Sequence, residues 1–368
     1  MSKLVRCELT LDYPSFATCC KKAMPRDPIF ELNYNGTNVT QEISELTLSV
    51  TFTDKLEGES DELAIALINS DLRWLGSWLP GEGDTAELQM GYEGEALLGP
   101  VLFEIDEPNW SGDSRGGDRF SLKGLATPVK KALRQRNTQA YEGTTLLAIA
   151  QQIADKHGLE IVGADVIPDI NIKRQTQKEQ TDLEFLRDLA AEYGLLFKIE
   201  SATKLVFYSE EDLEAAPPVL TLDRTDLTSY RLRRQAGGTY KAATVSYQDG
   251  ESDEFIEVTI DLDGEEVPKP EEEEEGAIAT EDILKVRERV ESKGQAEAKA
   301  IAALKRANSA RVEVDFDLEG NVKLSAGINV TLTGFSRLEG KYLLETVRHS
   351  LTRNQGYRCS VTARKVNS

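Results

Sequence analysis

Much of the chain is an alternation of apolar and polar residues. In ELTLSVTFT, the side chains of Leu46, Leu48, Val50 and Phe52 alternate with threonines and a serine. Because successive side chains of a strand point to opposite faces, this period of two predicts a half-buried β-strand. AELQMGY, EFIEVTIDL and RVEVDFDL repeat the pattern, and turn-rich stretches separate them. The spacing predicts closed or sandwiched antiparallel sheet on both sides of the middle of the chain.

The middle of the chain carries a helix-strand pattern twice. Apolar residues recur at steps of three and four in TDLEFLRDLAAEYG, which predicts an amphipathic helix. Thr181 and Glu184 have the spacing of a capping box, and Gly194 stands where a left-handed residue ends a helix. A similar unit lies 36 residues earlier, with Thr145 and Gly158 in the corresponding positions. Two such units predict a small domain in which two helices cover a short sheet.

These patterns predict an α+β fold that is mainly β, with four regions. The expected regions are an N-terminal extension (1–28), a first β domain (29–135), an α+β insert with two helix-strand units (136–212) and a second β domain (213–368). Within the last region, five consecutive glutamates predict a solvated acidic loop over 263–277. The Ala/Glu/Lys-rich stretch that follows predicts a helical segment over 280–309.

Charge and composition restrict the classes of partner. The 368 residues include 64 acidic and 43 basic side chains, for a net charge of −21. Such a surface repels phosphate backbones and anionic lipid, which argues against specific nucleic-acid binding. No apolar run approaches the roughly 20 residues of a membrane span, and the N-terminal residues lack the pattern of a secretory signal. We expect the four cysteines to be free thiols in a reducing cytoplasm.

Candidate chemistry is sparse. The only histidines, His157 and His349, lie at a helix end and in a strand, and we expect both to be structural. We therefore predict no catalytic residue, no cofactor and no metal site. Trp74 and Trp78 stand four residues apart, and we expect them to lie in a one-turn helix that packs on the end of a β domain. The alternative is a partner surface.

The order of several motifs resembles the late-control D family of contractile phage tails, the baseplate hub proteins. The resemblance covers about residues 29 to 365 and rests on YEGTTLLAIAQQIADKHGL, QTDLEFLRDLAAEYGL and GKYLLETVRHSLTRNQGYRCSVTA. Its most specific parts are the TDLEFLRDLA stretch and a pattern formed by Gly340, Tyr342, Val347, His349 and Tyr357. The first 28 residues and the glutamate loop depart from it.

The resemblance implies a structural protein without enzymatic activity. It implies that 29–135 and 213–368 are two antiparallel β-barrels, and that three copies form a ring of near six-fold symmetry. This homotrimer would join the six-fold tail tube, or its initiator protein, to the three-fold spike, beside other baseplate proteins. DNA or protein cargo would pass through the lumen. Assembly would take place in the bacterial cytoplasm, and the ring would become part of a virion, bacteriocin or other contractile injection particle.

Two alternative functions stay open at this stage. Trp74 or Trp78 stacking on sugar would fit a glycan- or peptidoglycan-binding tail-tip protein. A pair of acidic residues would fit a lytic one. Paired carboxylates carry little information here, because 64 residues are acidic.

Overall fold

The computed structural model describes residues 26–57, 60–126, 135–200, 204–234, 240–248, 255–261, 264–267, 283–286, 290, 293–309 and 312–366. The fold is mainly β, as predicted. The described helices are α1 (Thr40–Ser44), α2 (Leu146–His157), α3 (Asp182–Glu192), α4 (Glu210–Ala215) and α5 (Lys293–Ser309). Short 3-10 turns lie at Arg73–Leu75, Ala164–Val166, Arg224–Asp226 and Ser336–Leu338.

The described residues form twenty-one strands. In chain order these are β1 (Pro28–Tyr34), β2 (Thr37–Asn38), β3 (Thr47–Lys55), β4 (Glu62–Ile68), β5 (Thr85–Tyr92), β6 (Leu98–Asp113), β7 (Gly117–Leu125), β8 (Asn137–Thr145), β9 (Glu160–Val162), β10 (Asn171–Gln180), β11 (Leu195–Glu200), β12 (Lys204–Ser209), β13 (Leu220–Asp223), β14 (Leu227–Arg234), β15 (Ala242–Gln248), β16 (Phe255–Asp261), β17 (Ile283–Val286), β18 (Val312–Glu319), β19 (Asn329–Thr333), β20 (Gly340–Thr352) and β21 (Gly356–Lys365).

One sheet of thirteen strands dominates the molecule. Its strand order is β14-β18-β21-β20-β3-β4-β7-β6-β5-β1-β2, and β13 joins through β19, which pairs with β20. The two β-rich ends of the chain meet where β3 and β20 pair antiparallel, with Phe52 opposite His349. A closed barrel is not detected in this open strand order, so the two predicted barrels are not confirmed.

The alternation seen in the sequence determines which side chains the sheet buries. Val50 and Phe52 on β3, Leu63 and Ile65 on β4, and Phe316 on β18 all lie in the largest apolar cluster. Their intervening neighbours point to the opposite face, as a period of two requires. The inner face therefore supplies the core, and the outer face is polar.

Residues from 137 to 209 form a compact α+β unit with its own apolar cluster. Helices α2 and α3 accompany two small sheets, β8 with β10 and β11-β12-β9. The capping box is present as predicted: Thr181 Oγ1 accepts from the backbone N–H of Glu184, and the Glu184 carboxylate accepts from that of Thr181. Gly158 and Gly194 both have the positive φ that these helix ends require.

A third apolar cluster forms where α5 covers the sheet β16-β15-β17. The prediction of a helical segment over 280–309 is wrong in its first part. Ile283–Val286 is a strand that pairs in parallel with β15, and the described helix begins at Lys293. The apolar residues of ILKV are half-buried in this sheet, where β-branched Ile and Val are favoured. The acidic loop over 263–277 lies outside the described residues, except 264–267.

Candidate functional site

The outer face of the central sheet is a broad polar surface, which we call the polar sheet face. It continues without interruption across the join between β3 and β20. A groove of about 610 Å³ runs over it. Among its lining residues are Thr51, Thr53, Glu62, Ala64, Lys123, Ser229, Arg231, Asp315, Asp317, Thr346, Arg348, Ser360 and Thr362. Most of these side chains are small, so the surface is smooth and hydrophilic.

Cross-strand hydrogen bonds fix the polar sheet face. The Asp317 carboxylate accepts from Ser229 on β14 at 2.5 Å and from Ser360 on β21 at 2.6 Å. Asp315 accepts from Thr362 at 3.0 Å. These bonds connect three neighbouring strands at the level of their side chains. The carboxylates therefore stand at fixed positions on the face.

The join between the two halves is closed on its inner side by His349. Its ring lies nearly parallel to Phe52, with centroids 6.0 Å apart. His349 Nε2 lies 3.1 Å from the carbonyl oxygen of Leu324, so Nε2–H donates there and Nδ1 accepts from the Tyr357 hydroxyl at 2.8 Å. Cys359 Sγ is 3.3 Å from the same Nδ1. Two residues of the C-terminal motif, His349 and Tyr357, are thus in direct contact.

The arrangement of His349 and Cys359 does not suit nucleophilic catalysis. Burial lowers the pKa of His349 to about 4. Burial also raises the pKa of the Cys359 thiol to about 11. Both groups are neutral at pH 7 and fully buried. The thiolate that such chemistry requires is absent, and the pair acts as a packing element.

The two tryptophans lie in the loop between β4 and β5, in different environments. Trp74 is only 3% exposed and stacks on Phe120, with ring centroids 4.4 Å apart. Trp78 is half-buried and meets Trp74 edge to face at 5.3 Å. The Arg73 guanidinium lies 5.0 Å from the centre of the Trp78 ring. Of the pair, Trp78 is therefore the one that reaches the surface.

Three leucines of this loop are exposed, and the sequence reasoning overlooked them. Leu72, Leu75 and Leu79 are 46%, 52% and 57% exposed. We call residues 71–80 the leucine loop. Leu72 has a left-handed backbone, with φ of 55°, which is rare for a leucine. A sequence signal existed, because apolar residues surround Trp74 on both sides in DLRWLGSWL and one turn cannot bury them all.

Comparison with known proteins decides the family. The model of the phage tail baseplate hub (GPD) family matches residues 125–355. The chain belongs to this baseplate hub family.

Two curated relatives of this baseplate hub chain are named probable baseplate hub proteins. The one from Escherichia phage 186 is 27% identical over 224 residues, and the one from Escherichia phage P2 is 26% identical over 223. Each match covers 60% of this chain but 56% of the relative, so the chain spans little more than half of their length. The solved tail protein from Neisseria meningitidis MC58 has the same fold, with a TM-score of 0.66 at 14% identity over 92% of this chain and 97% of its own.

The α+β unit of this hub chain contains a buried cluster around Asp182. His157 Nε2 and Lys156 Nζ lie 2.7 and 2.8 Å from its Oδ2, and the amides of Gln177 and Asn137 donate to its Oδ1. Burial alone would raise the pKa of Asp182, but these hydrogen bonds outweigh it and lower the pKa to about 2. His157 thus joins the end of α2 to the start of α3.

A second buried charge cluster attaches the α+β unit to the central sheet. Lys198 on β11 lies 2.8 Å from Asp54 and 3.0 Å from Asp61. Asp54 also accepts from the backbone N–H of Ala326 at 2.8 Å. Burial raises the pKa of Asp61 to about 6, although the Lys198 charge opposes the shift. The Lys198 ammonium therefore joins β11 to the two aspartates, and Asp54 adds the segment that contains Ala326.

The described residues offer little sign of other chemistry. They contain no group of three or more His, Cys, Asp or Glu side chains that could hold a metal ion. No helix within the described ranges is long and apolar enough to cross a membrane.

Proposed function

We propose that this baseplate hub chain assembles as a homotrimeric ring that adapts a six-fold tail tube to a three-fold spike. The observation that carries the proposal is the continuous sheet, in which two β-rich parts of one chain lie side by side through the pairing of β3 and β20. Three chains would then present six such parts around one axis. We propose that the two parts correspond to the two barrels and to domains 29–135 and 213–368.

We propose that the polar sheet face lines the lumen of this ring. Small hydroxyl side chains and fixed carboxylates such as Asp315 and Asp317 give passing cargo few places to adhere. The net charge of −21 would also prevent adhesion of DNA or of an acidic protein. The partners in this proposal are the spike, the tube or its initiator protein and other baseplate proteins. Assembly takes place in the bacterial cytoplasm, and the ring then becomes part of the particle.

We propose further that the chain is not an enzyme. The relatives carry structural names, and the Cys359–His349 pair is neutral and buried. The alternative, a glycan-binding or lytic tail-tip protein, loses part of its basis, because Trp74 is buried against Phe120. Clearing of peptidoglycan by the purified chain in a zymogram would contradict the non-enzymatic proposal.

The ring is tested by the mass of the purified protein. Light scattering should give three copies of the 40.8 kDa chain, about 122 kDa, alone or with the cognate spike protein. Averaged electron micrographs of the same sample should show rings with a central opening. A chain that stays monomeric at every concentration, with and without the spike, would contradict the proposal.

A further inference from the structure

Two stretches of strand in the central sheet pair on one side only. β14 pairs with β18 and with no second strand among the described residues. β6 pairs with β5 as far as Glu104, and from there to Asp113 it pairs with β7. Within the described part of the chain, residues 107–113 of β6 therefore have a neighbouring strand on one side alone, and we call them the open segment of β6. The backbone groups on the other side of such a strand can pair with a strand of another chain.

The two open strands carry opposite charge. β14 has three arginines and no acidic residue, whereas β6 has four acidic residues and no lysine or arginine. The arginines are Arg231, Arg233 and Arg234, and the acidic residues are Glu104, Asp106, Glu107 and Asp113. Pairing β14 with β14 of another copy, or β6 with β6, would bring like charges together. Pairing β14 with β6 brings opposite charges together instead.

The strand directions favour the same pair. From β14 to β6 the sheet has eight strands, and each neighbouring pair among them is antiparallel. The first and the last of eight alternating strands run in opposite directions. Rotation about the axis of a ring keeps the direction of every strand relative to that axis. β14 of one copy is therefore antiparallel to β6 of the next, and the added pair has the same hydrogen-bond pattern as those within the chain.

An antiparallel pair also brings the charged ends of the two strands together. The arginines lie in the second half of β14, and Glu107 is the first residue of the open segment. Opposite directions therefore place Arg231 and Arg233 beside Glu107 of the next copy. Arg231 is opposite Asp315 and Glu107 is opposite Lys123, so these side chains lie on the polar sheet face. The side chains of Arg233 and Glu107 are 58% and 60% exposed, so both can reach a neighbouring copy.

On the other side of the sheet, both strands present apolar groups. Tyr230 of β14 is 45% exposed and meets Phe335 edge to face, with ring centroids 5.0 Å apart. On the open segment, Trp110 is half-buried, and its indole N–H donates to the carbonyl oxygen of Trp74 at 2.9 Å. The leucine loop therefore lies against this segment and places the half-exposed Leu75 near it. The two strands thus match on both faces, polar with polar and apolar with apolar.

From these observations we infer that β14 of one copy adds as an antiparallel strand to the open segment of β6 in the next copy. The partner of both strands is a second copy of this chain. Pro108 has no N–H to donate, so the shared hydrogen bonds lie over residues 109–113. The inference rests on the proposed ring and names the two surfaces through which its copies meet. The polar sheet face then continues from each copy into the next.

The test reverses the charges of the two strands, separately and together, in the full chain. Arg231→Glu with Arg233→Glu places acidic side chains beside Glu107 of the next copy. This variant should raise the concentration at which half of the protein is trimeric by at least about tenfold. Asp106→Lys with Glu107→Lys should have the same effect, because lysines then face the arginines. The chain with all four substitutions has opposite charges again and should regain most of the trimer.

The measurement is analytical ultracentrifugation under the conditions, with or without the cognate spike protein, in which the wild type trimerises. Arg174→Glu with Lys178→Glu is the matched control, because both residues are exposed on β10 of the α+β unit and the net charge changes equally. The control should trimerise like the wild type. Circular dichroism of each variant confirms that it is folded.

The outcomes separate the inference from the ring itself. A wild-type chain that never trimerises overturns the ring and, with it, this interface. A wild-type trimer that both reversals leave unchanged overturns only the inference. Two reversals that abolish the trimer without recovery in the fourfold variant also overturn it, because the two strands would then not be facing each other. A control that loses the trimer to the same extent does so too, because the effect would then not belong to these strands.

Discussion

At the scale of single residues, His349 shows how a group with catalytic potential is used for structure. Its ring is enclosed by Phe52, Tyr357 and Cys359 at the join of the two halves. Because its Nε2–H donates to Leu324 and its Nδ1 accepts, the neutral ring satisfies both nitrogens. Protonation would remove the acceptor and place a charge in the core. The stability of the core around His349 therefore depends on its ring staying neutral.

This dependence predicts a specific response to acid. The folded pKa of about 4 lies below the value near 6.5 of an unfolded histidine, so between these values only the unfolded chain takes up the proton. The contribution of the neutral His349 ring to the free energy of unfolding is full above pH 6.5 and is lost as the pH falls towards 4. From pH 7 to pH 5, the wild type should lose on the order of 2 kcal/mol more unfolding free energy than His349→Gln, measured by urea titration. Tyr357→Phe retains the histidine and should therefore lose nearly as much unfolding free energy as the wild type does. Equal losses of unfolding free energy in the wild type and in His349→Gln would contradict the lowered pKa of His349.

At the scale of elements, the two helices of the α+β unit form a natural comparison. Both begin at a threonine that caps the first turn, but the two caps differ in strength. Thr145 Oγ1 only accepts from the N–H of Ala148, at 3.3 Å. Thr181 also donates its backbone N–H to Glu184 at 2.9 Å, which completes the box. The second helix therefore has two of its first N–H groups satisfied reciprocally.

The Oγ1 of Thr181 lies 3.1 Å from the N–H nitrogen that it caps and that of Thr145 lies 3.3 Å from its own, which predicts unequal costs of the same substitution. Thr181→Ala should lower the unfolding free energy by about 1 kcal/mol, and Thr145→Ala by less. The measurement is chemical denaturation of both variants beside the wild type. Glu184→Gln should retain most of the stability, because an amide oxygen can still accept the N–H. A larger loss in Thr145→Ala would refute the ranking of the caps.

These helices were predictable because their signals are local. The cap of α3 and the glycines at both helix ends lie within a few residues of the turns that they form. The strand β17 was missed for the opposite reason. ILKV is followed by the charged RERV, which continues a helical composition, and only the parallel neighbour β15 makes a strand favourable. That neighbour lies about forty residues away, beyond any local pattern.

At the scale of the whole molecule, a few buried charges hold the units together. Arg364 on β21 contacts Glu210, Glu214 and Glu345, and burial raises the pKa of Glu210 and Glu345. Lys198 makes the corresponding contact from the α+β unit. Asp54 stands where the alternation of β3 predicts an apolar residue, and Asp61 directly precedes β4, so the sequence did contain a signal of this cluster. The sequence did not indicate which lysine or arginine would pair with these two carboxylates.

The Lys198 cluster predicts a large effect of one substitution. Lys198→Met would leave two buried carboxylates without their cation, so the unfolding free energy should fall by about 3 kcal/mol at pH 7. Lys123→Met removes a lysine that is 66% exposed and is the matched control, with an expected change within about 0.5 kcal/mol. Both values come from denaturant titration. A Lys198→Met protein as stable as the control would show that the cluster does not fasten the units.

The pairing of β3 with β20 has a consequence for biosynthesis. Thr51 and Ser350 touch across this pair although 299 positions separate them in sequence. A ribosome adds roughly 5–20 residues per second, so β3 waits on the order of 15–60 s before its second neighbour emerges. Throughout that interval one side of β3 exposes unpaired peptide groups, the condition under which nascent chains adhere to each other. Overproduction without a chaperone should therefore send much of this protein into inclusion bodies, however stable the finished molecule is.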